Sequence, residues 1–160
     1  MARIGIGYDC HRFAPGRPMV LGGVRVESPV GLAGHSDADA VLHAVTDAIL
    51  GAIGGPDIGE LFPDTDPRWK DVSSSVFLKA ALERAAGANM AVANCDVTVI
   101  AEQPKLSRYK QAMGCRLADL LGVAPSAVAI KAKTNEGMGW IGRGEGLAVI
   151  AAVLLDERPA

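Results

Sequence analysis

The chain has little that would take it into a membrane, onto nucleic acid or through an oxidising compartment. Its three cysteines, Cys10, Cys95 and Cys115, are odd in number and far apart. They build neither a disulfide framework nor a CxxC metal knuckle, so a reduced, cytoplasmic setting is expected. Lysine and arginine form no run and the formal charge is −2, which leaves nucleic acid or an anionic membrane surface little to hold. The longest apolar run, Gly146 to Leu155, is too short to cross a bilayer and reads as a strand buried on both faces. The start of the chain enters a strand-like pattern at once, so no signal or transit peptide is expected there. A GxxxxGK[ST] phosphate loop is also missing, which argues against a P-loop kinase.

What is present suits a globular protein. Apolar residues make up 49% and charged residues 21% of 160 positions, enough for one domain over residues 1–160 with a substantial core. From Arg3 to Asp9, Ile4, Ile6 and Tyr8 share one face of a strand and glycines the other. A second strand is expected from Val20 to Val26. Ser36 with Asp39 resembles a capping box, and Leu42, Val45, Ile49 and Ile53 recur at helical spacing until Gly54–Gly55. A long proline- and aspartate-rich loop follows, then a helix from Ser74 to Ala86 and a strand from Ala91 to Glu102. A helix is expected from Pro104 to Gly122, a strand from Val128 to Thr134, then a glycine-rich stretch and the last strand. The order predicts a mixed α+β sandwich with helices on one face of a sheet.

All three histidines, His11, His35 and His43, lie between the first strand and the first helix. In an extended segment Asp9 and His11 point the same way. On the helix, His43 has Asp39 and Asp47 one turn away on either side, opposite the apolar stripe. Asp9, His11 and His43 can thus converge as three ligands of a tetrahedral zinc with one open position, suited to polarising a phosphoryl or carbonyl oxygen. The same residues also fit surface histidines and a helix-face salt bridge. His35 and Ser36 are expected at a helix N-terminus, where anions are favoured, though on the residues alone an N-cap serine beside a chance histidine is the better reading. Asp57, Asp64 and Asp66 suit sugar hydroxyls or a divalent ion, and equally turn formation. Residues 137–142, GMGWIG, match GxGxxG, but a strand-like continuation follows instead of a helix, and Glu157 falls in the tail, so the dinucleotide reading is rejected.

Five segments in order resemble the 2-C-methyl-D-erythritol 2,4-cyclodiphosphate synthases. They are GYDCHRF at 7–13, GHSDADAVLHAVTDAILGA at 34–52, DIGELFPDTDPRW at 57–69, AEQPKL at 101–106 and KTNEGMGWIGRGEG at 133–146. The resemblance implies a homotrimer with active sites between subunits. It implies a phosphorus–oxygen lyase of non-mevalonate isoprenoid synthesis, which closes a cytidyl diphosphate substrate into a cyclic diphosphate and releases CMP. Asp9, His11 and His43 would bind zinc, and Glu136 a magnesium or manganese ion. His35 and Thr134 would position the reacting phosphates, with Ser36 beside them. Asp57, Ile58 and Gly59 would contact the methylerythritol hydroxyls, with Phe62, Pro63, Asp64, Thr65 and Asp66 closing over that end. Ala101, Glu102, Gln103, Pro104, Lys105, Leu106 and Ser107 would form the cytidine pocket, with Ala132, Lys133, Thr134 and Asn135 alongside. Trp140 and Arg143 would face a threefold axis that can take an isoprenoid diphosphate.

Two departures stand out. Lys133-Thr134-Asn135 replaces the Thr-Thr-Thr that many members have, and Trp140 stands where phenylalanine or tyrosine is more frequent. The competing readings are a metal-dependent phosphohydrolase, which would use the same ligands, and a non-enzymatic trimeric isoprenoid-phosphate binding protein.

Overall fold

The computed structural model describes residues 1–158. Strand β1 (Arg3–Ala14) is followed by β2 (Met19–Leu21), β3 (Val24–Val26), β4 (Gly31–Leu32) and helix α1 (Ala40–Ala52). Then come a one-turn helix α2 (Ile58–Leu61), helix α3 (Ser75–Gly87) and β5 (Met90–Ile100). Helix α4 (Lys110–Leu121), β6 (Val128–Lys133), one-turn helix α5 (Gly139–Gly142) and β7 (Gly146–Glu157) complete it. The main sheet has the order β4-β1-β7-β5-β6, with β7 antiparallel to both β1 and β5, and β5 parallel to β6. Helices α1, α3 and α4 cover one face, as the α+β pattern predicts.

The glycine side of β1 is the buried side. Gly5 and Gly7 bring the strand so close to α1 that an added Cβ would lie 1.8 Å from the carbonyl oxygen of Ala48 or Ala44. On β7, Leu147, Val149, Ala151, Val153 and Leu155 face the same helices and are fully buried. The other face is open. Ile4 and Ile6 are 69% and 70% exposed, and Tyr8 stands beside them. Their cross-strand neighbours Leu154 and Ile150 remain 36% and 42% exposed. The last strand is therefore covered on one face within this chain, and the burial expected on its other face is not supplied by the chain itself.

Several local expectations also change. Residues 20–26 are a hairpin, not one strand, because Gly22 and Gly23 turn between β2 and β3 with φ of 59° and 70°. Ser36 does not cap α1. Asp39 does, accepting from the N–H groups of Val41 and Leu42, and also from Gly22 and Gly23 of the hairpin. This buries Asp39 completely, so it does not lie on an open helix face beside His43. The helix expected from Pro104 starts only at Lys110, after a 3-10 turn over Ser107–Tyr109, and Gly122 ends it in the left-handed conformation. In the glycine-rich stretch the backbone packs closely on itself, since a Cβ on Gly142 would lie 2.0 Å from the carbonyl carbon of Gly137. The strand after GMGWIG is β7, in keeping with the rejected dinucleotide reading.

Candidate active site

Asp9 and His11 leave β1 on the α1 side, and the close approach at Gly5 and Gly7 sets their distance from the helix. His43 meets them from α1. The Asp9 Oδ2 to His11 Nε2 distance is 2.9 Å, Asp9 Oδ2 to His43 Nδ1 is 3.1 Å, and His11 Nε2 to His43 Nδ1 is 3.2 Å. Among the described residues, only these three gather as a possible metal-binding cluster, with ligand atoms within 4.8 Å of one another.

This donor set fits a divalent cation. His11 Nδ1 stands 2.6 Å from the carbonyl oxygen of Ala33, which can only accept, so that nitrogen carries the proton. Its Nε2 then turns toward a carboxylate and a second imidazole, and a positive charge between the three is favoured. Two imidazoles and a carboxylate suit zinc and similar ions. Burial works against charge on His11, but the hydrogen bond and negative charge of Asp9 outweigh it and raise the His11 pKa. Burial likewise pulls the Asp9 pKa up, yet His11 and His43 bring it below its ordinary value.

The cluster opens into a cavity of about 490 Å³ lined by His35, Ser36, Ile58, Gly59, Phe62, Pro63, Asp64 and Thr65, together with Gly34, Trp69 and Phe77. His35 lies in the loop ahead of α1, not at the helix N-terminus, because Asp39 has taken the cap. Its Nε2 is 3.0 Å from the carbonyl oxygen of Asp66, and its own carbonyl accepts from Asp71 N–H at 2.8 Å. Arg17 donates to the carbonyl oxygens of Gly34 and Ser36 on either side of it. The loop at 57–66 is held to α1 by Asp47, which accepts from Ile58 N–H at 2.8 Å. Phe62 stacks against Phe77 at 4.7 Å and meets Trp69 edge-on at 5.1 Å, giving the cavity an aromatic wall. The carboxylates of Asp57 and Asp66 are taken up locally: Asp57 caps α2 and Asp66 pairs with Arg68.

A second cavity, about 160 Å³, is lined by Ala101, Pro104, Lys105, Leu106 and Ser107 with Ala132, Lys133 and Thr134. It thus gathers most of the expected cytidine residues, and adds Lys110 from the start of α4. Gln103 and Glu102 do not line it. Glu102 instead accepts from the N–H groups of Asn135 and Gly137, fixing the 135–137 turn. In that turn Glu136 is exposed and accepts from the Thr134 hydroxyl at 3.2 Å, away from the Asp9 cluster. The two residues expected to position phosphates, His35 and Thr134, therefore line different cavities of one chain. Trp140 borders a third hollow with Cys10, His11, Arg12 and Glu145, and Arg143 donates to Glu145 Oε1 at 2.7 Å.

Sequence reasoning missed Trp69 and Phe77 as walls, Lys110, and the pair Asp37 and Ser74 behind His43. Trp69 ends the quoted loop motif and Asp37 lies inside the HSDAD motif, so both had a signal. Phe77 and Ser74 had none, since α3 reads as an ordinary helix.

A sequence model of the YgbB family matches residues 2–156. The 2-C-methyl-D-erythritol 2,4-cyclodiphosphate synthase of Gemmatimonas aurantiaca is 55% identical over 155 residues, spanning 97% of this chain and 93% of that protein. The bifunctional IspDF of Campylobacter jejuni superposes with a TM-score of 0.94 at 42% identity over 98% of this chain, which spans 42% of the length of that one. A CDP-bound structure of a 2C-methyl-D-erythritol-2,4-cyclodiphosphate synthase superposes with a TM-score of 0.88 at 40% identity, covering 96% of this chain and all of its own. With nearly every residue matched and the metal-type cluster in place, the chain belongs to the YgbB family.

Proposed function

We propose that the chain is a 2-C-methyl-D-erythritol 2,4-cyclodiphosphate synthase. It closes 4-diphosphocytidyl-2-C-methyl-D-erythritol 2-phosphate into the 2,4-cyclodiphosphate and releases CMP. The observation that carries this reading is the Asp9–His11–His43 cluster opening directly onto the cavity that holds His35 and the 57–66 loop.

The nucleophile is the substrate's own 2-phosphate, already anionic, and it attacks the β-phosphorus with CMP as leaving group. No general base is required. The protein must hold two anions in line and offset their repulsion. Asp9, His11 and His43 hold zinc in this reading, and Glu136 holds magnesium or manganese. Such ions supply Lewis-acid polarisation of phosphoryl oxygens. His35 and Thr134 orient the phosphates, Ile58 and Gly59 meet the sugar hydroxyls, and Phe62 with its loop excludes water. Lys105, Lys110 and Lys133 give the smaller cavity the positive charge that a cytidyl diphosphate needs.

His35 and Thr134 line separate cavities in one chain, and this supports a site completed by a neighbouring copy, in a homotrimer. The open apolar face of β1 and β7 supports such an assembly. Incubation with the cytidyl substrate and both metals, followed by phosphorus NMR, tests the proposal. CMP with a cyclic diphosphate is expected. An open-chain phosphate product would overturn it in favour of a phosphohydrolase.

A further inference from the structure

Behind the cluster, on the side away from Asp9, His43 meets two serines. Its Nε2 stands 2.8 Å from Ser74 Oγ and 3.2 Å from Ser36 Oγ. Ser74 is fully buried at the start of α3, yet its side chain makes no capping bond to that helix. Its hydroxyl is directed to Asp37 Oδ1, which also accepts from Ser74 N–H at 3.1 Å and Asp39 N–H at 3.2 Å.

The protons can be assigned from these contacts. A carboxylate only accepts, so the Ser74 hydroxyl proton goes to Asp37. Ser74 Oγ can then only accept from His43, which puts the ring proton of His43 on Nε2. Nδ1 is then the atom that faces Asp9 at 3.1 Å and His11 at 3.2 Å, and its lone pair is free for a cation that takes the place of a proton in that space. We propose that Asp37 and Ser74 are positioning residues that fix the His43 tautomer and ring orientation, so that Nδ1 is presented as a metal donor. The proposal rests on the metal reading of the Asp9–His11–His43 cluster. It gives a physical reason why a buried serine at a helix start leaves its helix uncapped. Outer partners of this kind raise ligand basicity and commonly change metal affinity by about 10–100-fold.

Two measurements on the full-length protein test it. Zinc affinity is measured by competition with a chromophoric chelator for the wild type, Ser74→Ala and Asp37→Asn. Wild-type binding followed by a loss of about 10–100-fold in Ser74→Ala, and a smaller loss in Asp37→Asn, is the expected result. Wild-type binding with affinities unchanged in both variants overturns the positioning role. A wild type that binds no zinc overturns the metal reading itself. The second measurement needs no variant, so it survives any folding defect. With only three histidines in the chain, long-range nitrogen–proton NMR of the zinc-loaded protein at pH 8 can report the His43 tautomer directly. A proton on Nε2 is expected, and a proton on Nδ1 overturns the proposal.

Discussion

The Cβ that Gly7 lacks would stand 1.8 Å from the carbonyl oxygen of Ala44, one residue beyond His43. Strand and helix backbones therefore meet with no side chain between them, and this contact sets the distance from Asp9 and His11 to His43. Gly7→Ala has backbone, not a flexible side chain, to displace. It should cost roughly 3 kcal/mol or more, which corresponds to a fall in Tm of about 6–12 °C. Zinc affinity should fall with it, because the ligands move apart. Thermal melts with and without zinc check this, and wild-type stability in Gly7→Ala would contradict the close contact.

His43→Ala removes one donor from a cluster of three and leaves a small hole beside Phe77, whose ring centroid is 5.9 Å from that of His43. Bound zinc, measured on dialysed protein, should fall at least tenfold, and CMP release should drop below detection. Far-ultraviolet circular dichroism should stay close to the wild type. Zinc content equal to the wild type would remove His43 from the metal assignment.

Acidification should act in opposite directions on the metal-free and metal-bound protein. The raised His11 pKa contributes stability that is present below the unfolded value of about 6.5 and is lost as pH rises through the folded value. The lowered Asp9 pKa contributes stability that is present above about 3.9 and is lost as pH falls through its folded value. The pair therefore favours the metal-free fold more at pH 6 than at pH 9. Metal binding must displace the His11 proton, so affinity should fall over the same range as pH drops from 8 to 6. Tm measured at both pH values, with chelator and with zinc, tests the two signs. His11→Ala should reduce both dependences, and a metal-free protein whose pH dependence is the same with and without His11 would refute the linkage.

The sequence carried the metal-type cluster because alternation puts Asp9 and His11 on one side of a strand whatever that strand packs against. The residues of the second cavity came from the resemblance alone; the physical reason that Ala101 to Ser107 lie beside Ala132 to Thr134 is the parallel pairing of β5 with β6, which no local pattern announces. Helix starts were less legible. Ser36 has the residue type of a cap, but the competition was won by Asp39, which can serve the helix and the Gly22–Gly23 hairpin with its two oxygens at once. Ser74 was unreadable because its partners, Asp37 and His43, lie more than thirty positions away in the chain. β7 was legible only in part, since an apolar run looks the same whether its second face is covered by its own chain or by something else.

That second face gives the last prediction. Tyr8 pairs with Ile150 and Ile4 with Leu154 across β1 and β7, with Ile6 between them, so exposed apolar side chains form one continuous patch on the open face of the sheet. Isolated apolar residues on a surface are ordinary, but a contiguous patch of this kind on a sheet marks an interface. The proposed homotrimer would cover it, with each copy's sheet facing the common axis. Ile6→Asp places a charge at the centre of the patch without touching the helix side of β1, where the metal cluster lies. Its burial in an interface would leave an unpaired carboxylate, at a cost of several kcal/mol per copy. Light scattering should then report three chain masses for the wild type and one for Ile6→Asp, with circular dichroism and zinc content per chain retained. CMP release should be lost in the variant, since His35 and Thr134 would no longer meet across subunits. Val76→Asp is the control, because Val76 is also exposed but lies at the start of α3 away from the patch. It should leave the mass at three chains. A wild-type monomer, or an Ile6→Asp protein that remains a trimer and fully active, would refute this face as the interface.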